Sequence, residues 1–157
     1  GEIQLEPYRT FATGLFAKAN RVLEPEAFDW IYNELSGHTW YVQMALNRIF
    51  ASGRKTTAVS DAQEAIDAAI ACEDATYKAF CEMLPRGQLA VLKALAVERG
   101  VAEPFKGSFL AKHRLGAASS VRQALKALEN KALVLKGESG KYFVYDRFFG
   151  LWLRKRV

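Results

Sequence analysis

The chain has 157 residues, of which 50% are hydrophobic, 12% aromatic and 25% charged. These proportions are typical of one or two small globular domains and exclude a disordered or fibrous protein. No stretch approaches the roughly 18 consecutive apolar residues that a membrane-spanning helix needs, so no membrane role is expected. With two cysteines and no signal-peptide pattern, the sequence predicts a protein of the reducing cytoplasm.

The net charge of +5 conceals a strong asymmetry between the two halves of the chain. Residues 1–84 contain seven Lys and Arg against twelve Asp and Glu, a net charge of −5. Residues 85–157 contain 15 Lys and Arg against five Asp and Glu, a net charge of +10. Such a division predicts an acidic partner for the basic half, and nucleic acid is the first candidate.

The first half of the chain has a helical pattern of apolar residues. This pattern predicts four helices, at about residues 7–23, 24–36, 39–50 and 60–84. Pro25 is suited to the first turn of the second helix, and Gly37 is suited to its end. Ser60 and Asp61 are suited to capping the last helix. We expect residues 1–84 to form one domain, a small helical bundle.

The second half predicts three helices followed by a β-hairpin. The helices are expected at about residues 85–100, 108–115 and 119–130, and the strands at 133–135 and 142–145. Ser120 and Gln123 match a capping box at the start of the third helix. This order is typical of a winged helix-turn-helix domain, here residues 85–157. Phe148, Phe149 and Trp152 follow the last strand, and we expect them to pack back onto this domain. The predicted fold class is therefore mainly α with a small β-hairpin.

The third of these helices has one apolar face and one polar face. At about 100° per residue, Val121, Leu125, Leu128 and Ala132 face inward. The side chains expected on the opposite face are Ser119, Arg122, Gln123, Lys126 and Asn130. These residue types reach phosphates and base edges, which predicts binding to double-stranded DNA. Further phosphate contacts are expected from Lys136 and Lys141 beside the hairpin tip, and from Lys112 and Arg114 on the preceding helix.

Two alternatives to DNA binding remain open for this surface. Any solvated helix face is polar, so the pattern alone does not require a ligand. Winged helices also serve as protein-docking or autoinhibitory modules without contacting DNA, which makes a protein partner the second candidate.

Two stretches of the chain resemble a known family. The first runs from Tyr8-Arg9-Thr10-Phe11 to Gly37-His38-Thr39-Trp40-Tyr41-Val42-Gln43. The second runs from Ser119-Ser120-Val121 through Lys131-Ala132-Leu133-Val134 and Tyr142-Phe143-Val144-Tyr145-Asp146 to Phe149 and Trp152-Leu153. Both are similar to the C-terminal part of archaeal-type P-loop ATPases, a family also found in Bacteroidetes-like bacteria and related to the STAND and origin-recognition ATPases.

The resemblance implies a helical lid in residues 1–84, followed by a winged helix. It also implies a nucleotide-side position for Gly37, His38 and Thr39, although Thr39 stands where related proteins have Pro. A local interpretation of the same residues makes Gly37 a helix end and Thr39 the next N-cap.

The sequence contains no G-x-x-x-x-G-K-S/T segment, which a phosphate-binding loop needs. Because Gly1 stands where a start methionine would be, we expect a fragment whose ATPase core, with ATP and Mg²⁺, lies upstream in the same polypeptide. The fragment itself is not expected to be an enzyme or to hold a cofactor. His38 and His113 fall in different predicted domains without a companion cysteine, so no zinc site is expected.

Overall fold

The computed structural model describes residues 2–156. The prediction of a single helix over residues 60–84 is wrong. This segment forms two helices that are interrupted at Glu73. The chain also divides into two compact units between Cys72 and Glu73, whereas the sequence analysis placed the domain boundary after residue 84. The second of the two helices therefore belongs to the C-terminal unit.

The first unit is built from four helices and one pair of very short strands. They are α1 (Leu5–Lys18), β1 (Val22–Leu23), α2 (Pro25–Glu34), α3 (Thr39–Ala51), β2 (Thr56–Thr57) and α4 (Val59–Cys72). Helix α2 packs against α1, α3 and α4, and its Phe28 and Ile31 are fully buried. Strands β1 and β2 pair in parallel, with Val22 opposite Thr56. This pairing was not predicted from the sequence.

The second unit contains five helices and a hairpin in the part of the chain that the structure describes. They are α5 (Asp74–Met83), α6 (Arg86–Val97), α7 (Gly107–Lys112), α8 (Ala118–Asn130), β3 (Val134–Lys136), β4 (Tyr142–Val144) and α9 (Arg147–Lys155). Helix α6 is central, because α8, α9 and β4 all pack against it. Strands β3 and β4 are antiparallel, with Leu135 opposite Phe143. The mainly helical fold class and the hairpin are thus confirmed.

The hairpin is also joined to the end of α6. Val101 and Tyr142 form an antiparallel bridge in which each backbone N–H donates to the other carbonyl, at 3.0 and 2.8 Å. The adjoining Gly100 has φ +106°. A β-carbon at Gly100 would come closer than 3.0 Å to the ring of Phe143, so only glycine fits here.

Helix α9 packs back onto the unit, as the sequence predicted. The Asp146 side chain caps this helix by accepting hydrogen bonds from the backbone N–H of Phe148 and Phe149, at 2.9 and 3.1 Å. The ring of Phe149 stacks on Tyr77 of α5 with 4.8 Å between centroids. The Trp152 indole N–H donates to Asp74, also on α5, at 2.9 Å. These contacts explain why α5 belongs with the winged-helix elements.

Helices in both units end with a residue in the left-handed conformation that is not glycine. The positions are Asn20, Ser36, Arg99, Arg114 and Ala132, with φ between +53° and +59°. In each case the next residue donates its N–H to a carbonyl five residues earlier, as in a Schellman motif. Within residues 2–156, no helix is long and apolar enough to cross a membrane.

Candidate nucleic-acid interface

Helix α8 begins about one turn earlier than the capping box of Ser120 and Gln123 predicted. Ala117 is the extended N-cap residue, and no side chain caps the helix. Ser120 is the third helical residue and donates its N–H to the Ala117 carbonyl at 3.1 Å, so the capping box with Gln123 is wrong. Gly116, with φ +80°, completes the turn that leads into the helix.

The inward face of α8 is close to the one predicted. Val121, Leu125 and Leu128 are buried, and Ala124 joins them. Ala132 was expected on this face but is exposed, because the helix ends at Asn130. The burial of the inward face fixes which side chains of α8 point outward.

All the side chains predicted to contact DNA from α8 lie on the exposed face. They are Ser119, Arg122, Gln123, Lys126 and Asn130. They fall within an arc of about 100°, and we call them the α8 stripe. In the part of the chain that the structure describes, Arg122 and Lys126 form no ion pair, and the only acidic residue of α8 is Glu129. The stripe therefore presents donors and positive charge without local neutralisation.

Arg122 has one partner that the sequence analysis missed. Its guanidinium carbon lies 4.2 Å from the ring centroid of Phe105, in the loop before α7. A ring in cation–π contact with a guanidinium holds the side chain in place without cancelling its charge. No periodicity points to this pair, because Phe105 lies outside regular structure.

The two lysines of the wing are exposed. Lys136 ends β3, and its ammonium lies 5.3 Å from the ring centroid of Tyr142. Lys141 closes the turn by accepting at its carbonyl a hydrogen bond from the Gly137 N–H, at 2.8 Å. Neither lysine has a carboxylate partner among residues 2–156, so both retain their charge for a ligand beside the hairpin.

The two basic residues at the end of α7 differ in their surroundings. Lys112 forms an ion pair with Glu98, and His113 Nε2 lies 2.7 Å from the same carboxylate. These hydrogen bonds and charges lower the pKa of Glu98 below its usual 4.5. The charge of Lys112 is thus balanced within the protein, whereas Arg114 is exposed and has no carboxylate partner among residues 2–156.

The basic character of the predicted winged helix extends over the whole second unit. From Glu73 onward the chain has 16 Lys and Arg against eight Asp and Glu, a net charge of +8. Asp74 is held by Trp152 and by Lys78, and Asp146 caps α9. These carboxylates therefore do not neutralise the α8 stripe.

The three residues predicted to lie beside a nucleotide are found where α2 leads into α3 in the first unit: Gly37 and His38 are in the turn, and Thr39 is the first residue of α3. Gly37, with φ +68°, donates its N–H to the Tyr32 carbonyl at 2.8 Å. A β-carbon at Gly37 would lie 2.9 Å from the Tyr32 ring, so Gly37 serves as a helix end. His38, rather than Thr39, is the N-cap of α3. Contact with a nucleotide remains a prediction.

In the stretch from residue 2 to residue 156, no group of three or more His, Cys, Asp or Glu side chains could hold a metal ion. Cys72 and Cys81 are free thiols.

The arrangement of the second unit defines a winged helix: α6, α7 and α8 precede a two-stranded wing that is joined to the end of α6. A protein-family model for a probable winged helix domain matches residues 75–155. Because this match covers more than half of the chain, the protein belongs to that family. It also begins within α5, in agreement with the contacts between α5 and α9. Comparison with curated proteins and with solved structures found no match.

Proposed function

We propose that the second unit binds double-stranded DNA, with the α8 stripe in the major groove and the wing lysines on neighbouring phosphates. The observation that carries this proposal is the α8 stripe itself, a run of exposed donors with two uncompensated cations. In helix-turn-helix proteins the second helix of the motif enters the major groove. Arg, Gln and Asn can form paired hydrogen bonds with base edges, while Lys and Ser bind the backbone.

The charges set the expected salt dependence. Five exposed cations lie on the α8 stripe, the wing and the α7–α8 turn without a carboxylate partner in the described chain. They are Arg114, Arg122, Lys126, Lys136 and Lys141. Each phosphate contact contributes about −0.9 to the slope of log K against log salt concentration. If all five contact phosphate, the slope is about −4.5.

The test is duplex binding measured by fluorescence anisotropy between about 50 and about 200 mM salt. Replacing both Arg122 and Lys126 with Ala is expected to weaken binding. The slope should fall by about 1.8 if both residues contact phosphate, and by about 0.9 if Arg122 contacts a base edge. The control replaces Lys78 and Lys155 with Ala, which removes the same charge from α5 and α9 and should have a much smaller effect.

Two results would contradict DNA binding through α8. One is the absence of detectable binding by the unmodified chain in low salt. The other is an equal loss in the two double variants, which would indicate general attraction to a basic surface. An unchanged affinity in the Arg122 and Lys126 variant would favour the alternative, a protein-docking or autoinhibitory winged helix.

We also propose that the chain is the C-terminal part of a P-loop ATPase, with the first unit as its nucleotide-sensing lid. The support is the resemblance of residues 8–43 and 119–153 to that family. On this proposal ATP and Mg²⁺ bind a core that lies upstream in the same polypeptide. Gly37, His38 and Thr39 face the nucleotide. This chain has no catalytic activity of its own. Nucleotide binding then changes the position of the winged helix, because the two nucleotide states make different contacts with the lid.

The ATPase proposal is tested by the gene that encodes the chain. The codons upstream of Glu2 are expected to contain G-x-x-x-x-G-K-S/T, and an open reading frame without this segment would refute the proposal. If the segment is present, His38→Ala in the full-length protein should weaken ATP binding, whereas Trp40→Phe, at an exposed neighbour, should not.

A further inference from the structure

We infer that Phe105 is a positioning residue for DNA recognition, because it holds the Arg122 guanidinium in the orientation that the duplex requires. This inference rests on the proposed DNA binding. Phe105 lies in the loop before α7, and its ring centroid is 4.2 Å from the guanidinium carbon of Arg122. The contact joins the loop to the middle of the α8 stripe.

The geometry of the stack leaves Arg122 able to bind. The cation–π contact is made through the guanidinium carbon, and it leaves the N–H donors of the group available to a ligand. In the described part of the chain Arg122 has no carboxylate that would occupy those donors. Both a phosphate and the O6/N7 edge of guanine offer paired acceptors to these donors.

The stack also reduces the cost of binding. Fixing a long side chain at an interface costs about 0.5–1.5 kcal/mol, equivalent to roughly two- to tenfold in affinity. A side chain already held by an aromatic ring has lost part of this freedom before DNA arrives. Phe105 is only partly buried, so a smaller residue there should leave the fold intact.

The matched variants are Phe105→Leu and Phe50→Leu. Phe50 stacks in the same way on Arg21 in the first unit, at 4.1 Å, and provides a control for the loss of such a pair. Phe105→Leu is expected to weaken duplex binding about two- to tenfold, while Phe50→Leu leaves it unchanged. Phe105→Tyr keeps the ring and should bind as the unmodified chain does. Arg122→Lys keeps the charge without the planar group and should bind less tightly.

A double-mutant cycle separates positioning from a general structural effect. If Phe105 acts through Arg122, the variant Phe105→Leu with Arg122→Ala binds no more weakly than Arg122→Ala alone. Additive losses, or an affinity of Phe105→Leu equal to that of the unmodified chain, would overturn the inference.

Two further measurements identify the acceptor and separate the two proposals. A larger loss of affinity for Phe105→Leu on G·C-rich than on A·T-rich duplexes identifies guanine as the acceptor, and an equal loss identifies phosphate.

In the free protein, ¹⁵N relaxation of the Arg122 Nε should show greater mobility in Phe105→Leu. Unchanged mobility would refute the inference that Phe105 holds Arg122 in place. If the unmodified chain does not bind duplex, the DNA proposal fails and the DNA role of Phe105 fails with it. If it binds and Phe105→Leu binds equally, only the role of Phe105 fails.

Discussion

Gly100 is the position at which one added methyl group should disturb the winged helix most. Its φ of +106° is strained for alanine, at a cost of about 1–2 kcal/mol. A β-carbon there would also lie closer than 3.0 Å to the Phe143 ring. That ring is 8% exposed and contacts the Arg147 guanidinium at 4.1 Å, so it has little room to move. Overpacking of this kind costs about 1–3 kcal/mol, and the reduced freedom of the unfolded chain offsets about 0.4–1 kcal/mol, giving a loss of roughly 1–4.5 kcal/mol in all.

Gly116→Ala is the matched control. Gly116 also has a positive φ, +80°, but no atom lies within 4 Å of the position that its β-carbon would take. It therefore carries the backbone strain without the collision, and the reduced freedom of the unfolded chain offsets about 0.4–1 kcal/mol of that strain. The expected loss is roughly 0.5–1.5 kcal/mol.

Urea unfolding distinguishes the two variants. Trp152 reports on the second unit when Trp30 and Trp40 are replaced with Phe, since the chain has three tryptophans. In thermal unfolding of a unit of this size each kcal/mol lowers the melting temperature by about 4–8 °C, so Gly100→Ala should melt at least about 4 °C below the unmodified chain. Adding Phe143→Leu to Gly100→Ala should cost less than the sum of the two changes. Equal losses at Gly100 and Gly116, or full additivity, would refute this reasoning.

Three further changes have expected effects that unfolding measurements can check. Thr57 is 1% exposed and its hydroxyl has no hydrogen-bond partner within residues 2–156. Thr57→Val should therefore stabilise the first unit by about 1–3 kcal/mol, and any loss of stability would contradict this. Ala132→Gly should stabilise the second unit by about 0.5–1 kcal/mol. Glycine removes the strain of φ +57°, and this gain exceeds the entropic cost of fixing the more flexible residue. A decrease in stability would show that the strain is absent. Lys112 and His113 lower the pKa of Glu98 below 4.5, so its ion pairs stabilise the fold above that pH and are lost as pH falls through the lowered pKa. Glu98→Gln should therefore lose less stability between about pH 6 and about pH 3 than the unmodified chain, and parallel pH profiles would exclude this role.

The sequence predicted correctly those elements that depend on the spacing of neighbouring residues along the chain. The apolar spacing of Val121, Leu125 and Leu128 identified the buried face of α8, and hence the α8 stripe, since burying one face leaves its opposite exposed. The two glycines between the β-rich runs identified the hairpin in the same way.

The remaining features depend on contacts between distant residues. The break at Glu73 has no glycine or proline to mark it; it separates a helix that packs on α2 from one that packs on α9. The capping-box prediction was wrong because a residue can cap a helix only where the helix starts, and α8 starts at Ala118. The contact of Phe105 with Arg122 spans 17 residues, which no periodicity can reveal.

The bridge between Val101 and Tyr142 determines which part of the wing can move. Tyr142 is the first residue of β4 and pairs with Lys136 beside the turn. Its two hydrogen bonds with Val101 therefore fix the turn end of the hairpin to the segment that follows α6, and moving that end requires both to break. In hydrogen-exchange experiments the amides of Val101 and Tyr142 should therefore exchange slowly, together with the core, while those of Glu138 and Ser139 in the turn exchange fast. A wing built in this way meets its ligand with both strands held in place, and only the turn residues between them can adjust.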